Sequence, residues 1–124
     1  MNKAQALQQF WSSFDLLAID EQSAYDEGME LPSKYITYEV QMSDFGEPLQ
    51  LSASVWYYST SWMEITQKVN EIAESIGYGG KMIKVDGGYV WIKLGRPFAQ
   101  RMSAEQENFR RYVLNISVDF LTAV

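Results

Sequence analysis

The sequence predicts an α+β domain in which one β-sheet carries two helices on one of its faces. Apolar residues recur at helical spacing in two segments and at every second position in several others. The 124 residues are the length of a single domain, and 47% of them are apolar, which suffices for a core. We therefore expect one domain over residues 1–124, with an antiparallel or mixed five-stranded sheet and the order α-β-β-α-β-β-β.

Two segments have the pattern of amphipathic helices. The first runs from Asn2 to about Ala18. The second begins near Ser61, because Ser61 and Glu64 have the spacing of a capping box, and it ends at Gly77. The apolar stripes are Leu7, Phe10, Trp11, Phe14 and Leu17 in the first helix and Ile65, Val69, Ile72, Ala73 and Ile76 in the second. The polar segment after the first helix predicts an acidic loop, with one helical turn as an open alternative.

Five segments alternate between apolar and polar residues and predict strands, at about 34–42, 48–58, 82–85, 89–94 and 109–121. Ile36, Tyr38, Val40 and Met42 share the inner face of the first one. Asp86, Gly87 and Gly88 supply the tight turn of a hairpin between the third and fourth strands. The last strand is expected inside the sheet, because unpaired backbone along such a length would aggregate.

The composition excludes the commonest catalytic sites. The chain has no cysteine and no histidine, which removes ordinary zinc sites, Cys/His nucleophiles and Ser-His-Asp triads. Its glycines match no phosphate-binding loop, and no pair of carboxylates has the spacing of an acid and a base. We expect a protein that is not an enzyme and has no cofactor. The first residues lack the pattern of a signal peptide, and no apolar run is long enough for a membrane span.

Charge is distributed unevenly along the chain. Residues 1–80 hold three lysines and twelve acids, a net charge of 3 − 12 = −9, and residues 81–124 hold seven bases and four acids, a net charge of +3. Two surfaces of opposite charge can pair head to tail between copies of one chain. The expected contact residues are Arg96, Phe98, Arg101, Arg110 and Arg111 on the basic side and Asp20, Glu21, Asp26 and Glu27 on the acidic side.

Residues 95–102 are the segment with the least obvious place in a core. We interpret them as a protruding arm that is stiffened by Pro97 and anchored in the neighbouring subunit by Phe98. An ordinary loop between strands is the alternative.

Two other functions remain open at this stage. An adaptor would bind single-stranded nucleic acid or a partner protein through Trp56, Tyr89 and Trp91, which lie among basic residues, although the net charge of −6 opposes nucleic-acid binding. A carboxylate-based metal enzyme would need a divalent cation in the acidic segment 20–30, which lacks the EF-hand spacing and is more simply a solvated loop.

Four segments resemble a known family: YITYEV (35–40), WYYSTSWMEITQKVNEIA (56–73), DGGYVWIKLGRPFAQRM (86–102) and RRYVLNISVDFLTA (110–123). They are similar to the tail-terminator (tail-completion, or minor capsid) proteins of long-tailed bacteriophages and prophages, and the likeness extends from about residue 5 to the end. The resemblance implies a small α+β subunit of a hexameric ring that caps the tail tube, halts its polymerisation and joins tail to head. It implies no catalytic residue.

The same resemblance implies the partners and the location of the protein. The partners would be further copies of the chain, the tail tube protein and the head-tail connector proteins, with DNA only as passing cargo and no membrane. The protein would reside in the virion, at the tail or neck, and in the host cytoplasm during assembly.

Overall fold

The computed structural model describes residues 1–26, 30–103 and 108–123 of the chain. Within these residues the order is α-β-α-β-β-α-β-β-β. The helices are α1 (Lys3–Ser12), α2 (Glu21–Asp26) and α3 (Met63–Ile76). The strands are β1 (Leu17–Asp20), β2 (Lys34–Tyr38), β3 (Leu49–Tyr58), β4 (Lys81–Val85), β5 (Gly88–Met102) and β6 (Phe109–Leu121).

The α+β class is confirmed, but the expected five strands and two helices are too few. Helix α1 ends at Ser12, well before Ala18, and Asp15 adopts a positive φ of 58° in the connection that follows. The chain therefore turns, and residues 17–20 form strand β1 instead of the last turn of a helix. Leu17 leaves the predicted stripe and is 43% exposed. Helix α2 follows β1 in the segment expected to be a loop, for which one helical turn was the alternative.

The six strands form one mixed sheet in the order β1-β2-β3-β6-β5-β4. Strands β1 and β2 are parallel, and every other neighbouring pair is antiparallel. Strand β6 lies inside the sheet between β3 and β5, as expected. Helix α1 contacts both edge strands, β1 and β4, so the sheet must curl around this helix. Helix α3 packs on β3, β5 and β6.

The core lies between the two longer helices and the inner face of the sheet. Alternate residues of β6 provide its centre: Tyr112, Leu114, Ile116, Val118 and Phe120 are all buried. The predicted helical stripes are buried except for Leu17, which is exposed, and Ala73, which is half-buried. Val40 and Met42 are 40% and 55% exposed because β2 ends at Tyr38, so their assignment to the inner face was wrong.

The hairpin prediction is confirmed. Val85 of β4 pairs with Gly88 of β5, so the turn consists of Asp86 and Gly87, and Gly87 has a φ of 77°. Gly88 itself lies under the end of β6, where a Cβ atom would come within 2.0 Å of the carbonyl oxygen of Leu121. This position therefore requires glycine.

The capping box predicted for α3 is wrong. The helix begins at Met63, and the hydroxyl of Ser61 accepts a hydrogen bond from the Met63 amide (3.1 Å). A capping box would require this bond to come from the amide of Glu64, one residue later. A capping box is present at α1 instead, between Asn2 and Gln5. The predicted end of α3 is confirmed, since Gly77 follows it with a φ of 74°.

Residues 95–102 are neither a protruding arm nor a loop between strands. They continue β5, whose pairing with β6 shifts register between Leu94 and Ala99. The Arg96–Pro97 peptide bond in this β-bulge is cis, and the Asn115 side chain donates to the Pro97 carbonyl (3.0 Å). A β-bulge places extra residues in one strand that have no partner in the other. The segment between Leu94 and Ala99 can therefore interrupt the pairing while β5 continues as one strand.

Candidate interaction surfaces

The face of the sheet opposite α1 and α3 is here called the outer face. Its side chains are those that alternate with the buried ones, and most of them are half-buried or exposed. Across the middle of the sheet they include Thr37, Ser52, Trp56, Lys93, Arg111, Val113, Asn115, Ser117 and Asp119. This polar and aromatic surface is available for contacts with other molecules.

Five outer-face residues stand side by side in one line across five strands. The register pairs Leu17 with Tyr35, Tyr35 with Trp56, Trp56 with Arg111, and Arg111 with Met102. We call this line the cross-strand row. Its two ends are the most open part, since Leu17 is 43% and Met102 is 39% exposed. The row thus combines two strongly apolar side chains, two aromatic rings and a single cation.

The middle of the cross-strand row is tightly organised. The rings of Tyr35 and Trp56 are stacked, with centroids 6.1 Å apart and planes 16° apart, and the guanidinium carbon of Arg111 lies 4.6 Å from the Trp56 ring centre. The Trp56 Nε1 donates to Thr37 (3.1 Å), and Arg111 donates from Nε and Nη2 to the Ser54 hydroxyl (3.2 and 3.1 Å). Burial raises the pKa of Tyr35 above its usual value.

This arrangement limits what Trp56 can bind. Strands β2 and β6 flank β3, so Tyr35 and Arg111 contact the Trp56 ring from the two neighbouring strands. A nucleobase that stacks on the Trp56 ring would compete with these two contacts.

The other two aromatic residues proposed for an adaptor surface lie far from Trp56. Trp91 and Tyr89 occupy the opposite end of the outer face, where Trp91 pairs with Asp119. Eight residues of β6 separate Asp119 from Arg111, about 26 Å of strand. Trp91 is also tied locally, because its Nε1 donates to the Gly79 carbonyl (3.0 Å) and the Lys93 ammonium lies 4.4 Å from its ring centre. Although Trp56, Tyr89 and Trp91 lie on the same face of the sheet, they are too far apart to form one binding site.

Two of the predicted basic contact residues meet around Trp62, which the sequence analysis did not single out. The guanidinium carbon of Arg101 lies 4.8 Å, and that of Arg110 5.4 Å, from the Trp62 ring centre. Arg101 also donates from Nε to the Tyr112 hydroxyl (3.0 Å), and Arg110 donates from Nη2 to the Thr60 carbonyl (2.8 Å). This end of the sheet thus holds Arg101 and Arg110 on its inner side and Arg111 on its outer side.

The remaining two basic-side residues lie in the bulge of β5. Arg96 is exposed, and within the described part of the chain it makes no hydrogen bond and no ion pair. Phe98 is half-buried and packs against the protein's own core. Phe98 is therefore largely used within the subunit, whereas Arg96 is free to contact a neighbour.

The acidic residues Asp20 and Glu21 line an open cleft of about 350 Å³ beyond the ends of β1 and β2, together with Gln22, Tyr38, Glu39, Val40 and Gln41. We call it the acidic cleft. The Asp20 carboxylate accepts a hydrogen bond from the Ser23 amide (2.8 Å) and so caps α2, while Glu21 is exposed. The Tyr38 hydroxyl donates to the Gln8 side chain, and burial together with the charge of Asp20 raises the pKa of Tyr38.

The other two acidic-side residues fall at the limit of the described structure. Asp26 is the last residue of α2, but its side chain lies outside the described residues, as does all of Glu27. Among the residues described, no three acidic side chains converge as ligands for a metal ion. In the same part of the chain, no helix combines the length and apolar character that crossing a membrane requires.

Comparisons with known proteins assign no family. No protein-family model matches the chain, and no curated protein matches it.

Proposed function

We propose that the protein is a non-enzymatic ring subunit, a tail terminator of a long-tailed phage or prophage. The ring, a hexamer by the resemblance described above, caps the tail tube and joins the tail to the head. Its partners are its own copies, the tail tube protein and the head-tail connector proteins.

One observation supports self-association most directly: several charged side chains of the two expected contact surfaces have no ion-pair partner within the described part of the subunit. Arg96, Arg101 and Arg111 make no ion pair among the described residues, and neither do Asp20 and Glu21. The ion pairs that the described residues do form join other groups, such as Lys93 with Asp119 (2.6 Å). Surfaces of unmatched, opposite charge steer two copies into one orientation.

The location of these charges also allows a ring. The acidic cleft lies beyond the ends of β1 and β2, whereas Arg111 lies on the outer face of the sheet. If each copy offers its cleft to one neighbour and its basic side to another, the contact is heterologous, and repeated heterologous contacts produce a closed ring or an open filament. An overall charge of −6 also suits a channel that DNA passes without adhering.

The experiment is a measurement of assembly by light scattering after size exclusion and by negative-stain electron microscopy, with and without purified tail tubes. We expect a ring, either in solution or at the tube end, and a weaker assembly for Arg96→Glu and for Glu21→Lys. Both side chains are exposed, so the variants should fold normally. Lys84→Glu, an exposed cation outside the expected contact residues, is the matched control and should assemble as the wild type does.

Two results would contradict the proposal. The first is a chain that stays monomeric at high concentration and does not associate with tail tubes. The second is salt-dependent retention on single-stranded DNA without self-association, which would favour the adaptor. Heat exchange with magnesium, calcium or manganese in calorimetry would point to the metal-dependent alternative.

A further inference from the structure

We infer that the 39–48 loop of one subunit docks, with Phe45 as its apolar anchor, on the cross-strand row of the next subunit. The inference rests on the proposed function, and it names the surfaces that form the lateral contact of the ring. The sequence analysis did not include Phe45 among the contact residues. Of the cross-strand row, it included Arg111 as a subunit contact and Trp56 only as part of the adaptor surface.

The 39–48 loop exposes apolar side chains beside acidic ones. Phe45 is 67%, Met42 55% and Val40 40% exposed. Asp44 and Glu47, which flank Phe45, are exposed and form no ion pair with any described residue. Apolar groups presented in this way within a short segment mark an interaction site more often than scattered surface residues do.

The loop is held in place although its apolar side chains face solvent. The Phe45 amide donates to the carbonyl of Phe120 (2.9 Å), and the ammonium of Lys3 donates to the carbonyl of Ser43 (2.6 Å). Phe45 adopts a φ of 38°, which is unfavourable for a bulky side chain and is kept only where the surroundings enforce it. The Phe45 ring is thus presented to solvent by an ordered backbone, and docking would cost little conformational entropy.

The cross-strand row has the complementary composition. Tyr, Trp, Met and Arg are the residue types enriched at the centre of protein interfaces. Arg111 has no carboxylate partner among the described residues, and its stacking on Trp56 holds the guanidinium in a fixed position. An apolar surface with one fixed cation matches an apolar segment with two unpaired carboxylates.

A subunit cannot make this contact with itself. The Phe45 amide is hydrogen-bonded to the Phe120 carbonyl. Phe120 lies nine residues from Arg111 along β6, which corresponds to about 30 Å of strand. The loop and the row therefore lie toward opposite ends of the central strand. Contact between them must therefore join two copies. Where each copy passes its loop to a further neighbour, the contact is head to tail, which is the type that builds a ring.

Disulfide cross-linking tests this contact directly, because the natural chain contains no cysteine. One variant carries Glu47→Cys in the loop and a second carries Met102→Cys at the open end of the row. Tyr78→Cys, at a fully exposed position outside both surfaces, is the matched control. Binding raises the local concentration of the paired thiols, so we expect the mixed Glu47→Cys/Met102→Cys disulfide to form at least about tenfold faster than either control pairing.

Equal rates for the mixed and control pairings would overturn the inference. A second measurement uses Phe45→Ser and Arg111→Glu, each of which alone should prevent ring growth. Mixed together, they should give a one-to-one heterodimer, because one intact loop and one intact row remain. Monomers only, or full rings, from this mixture would also contradict the contact.

The outcomes separate this inference from the proposed function. If rings form but the mixed disulfide has no advantage, the ring stands and the loop-to-row contact is wrong. If the mixed disulfide forms rapidly but the wild type neither closes into rings nor binds tail tubes, the contact stands and the tail-terminator function is wrong.

Discussion

The guanidinium group of Arg111 lies 4.6 Å from the centre of the Trp56 ring and donates two hydrogen bonds to Ser54, a residue of the same strand as Trp56. Arg111 and Trp56 are directly opposite each other on β6 and β3. The pair therefore joins the two central strands on the outer face and at the same time fixes the only cation of the cross-strand row. It contributes to stability as well as to the proposed contact.

We predict a measurable energetic coupling between these two residues. In a double-mutant cycle with Arg111→Ala and Trp56→Leu, the coupling free energy should be about 0.5–1 kcal/mol, the usual strength of a partly exposed cation–π contact. Urea denaturation of the four proteins measures it. The same cycle with Arg96→Ala in place of Arg111→Ala should give no coupling, because the Trp56 ring has Arg111, and not Arg96, stacked on it. A coupling near zero for Arg111 would show that its stacking is energetically unimportant.

Gly88 and Gly79 should respond very differently to alanine. A Cβ at Gly88 would lie 2.0 Å from the Leu121 carbonyl oxygen and 2.9 Å from the Thr122 Cβ, so the strands must separate locally. We expect Gly88→Ala to lower the unfolding free energy by about 3 kcal/mol. A Cβ at Gly79 meets nothing within 4 Å, and Gly79→Ala should change stability by less than about 0.5 kcal/mol. Similar denaturation midpoints for the two variants would contradict this.

The central strand should be the most sensitive place for a core cavity. Ile116 is fully buried, and its backbone pairs with Leu51 on one side and Leu94 on the other. Truncation by Ile116→Ala should cost about 2–5 kcal/mol in unfolding free energy, because neighbours on two strands cannot both close the gap. Met63→Ala removes a side chain that is 68% exposed, and it should stay within about 0.5 kcal/mol of the wild type. Thermal and urea unfolding would report both.

Stability should fall at alkaline pH because of buried tyrosines. Burial raises the pKa of Tyr57, and the nearby charges of Glu64 and Glu71 raise it further; burial and Asp20 do the same for Tyr38. A raised pKa in the folded state means that the folded protein holds these protons more tightly than the unfolded chain. The contribution is therefore complete below about pH 10, the unfolded pKa, and is lost as the pH rises through the folded values.

The variant Tyr57→Phe tests this pH dependence, because Tyr57 lies in the core and phenylalanine preserves its ring. The slope of unfolding free energy against pH above about pH 10 should become shallower than in the wild type. Tyr78→Phe is the control, since Tyr78 is fully exposed, and it should leave the slope unchanged. An identical slope for Tyr57→Phe and the wild type would show that Tyr57 does not titrate differently in the folded state.

Local signals in the sequence predicted the elements that depend on local physics. The hairpin followed from two glycines between alternating residues, and α3 from a stripe with a spacing of three and four. Strand β1 was not predicted, and α2 was anticipated only as a single possible turn, because four and six residues are too short to show a period. The extension of β5 through Arg96 and Pro97 was also not predicted from the sequence. A proline normally marks the end of a strand, and here the bulge accommodates it.

The candidate surfaces were predictable only in part, for a different reason. Alternation placed Trp56 on the outer face, but the cross-strand row depends on register between strands far apart in sequence, and β1 was not predicted at all. The pairing of Arg101 and Arg110 with Trp62 likewise requires the position of α3 over the sheet. Composition predicts which residue types form contacts, whereas the topology decides which side chains lie together.

The position of β6 in the sheet has a consequence for when this chain can fold during its synthesis on the ribosome. Strand β6 is synthesised after the other five described strands, and in this sheet β3 and β5 are joined through it. While residues 109–121 are still inside the exit tunnel, both neighbours expose unpaired backbone to other nascent chains, and chaperone binding would be most valuable at that stage. We therefore expect the domain to fold only after release of this segment, and stalled nascent chains that end before residue 109 should be cleaved readily by protease.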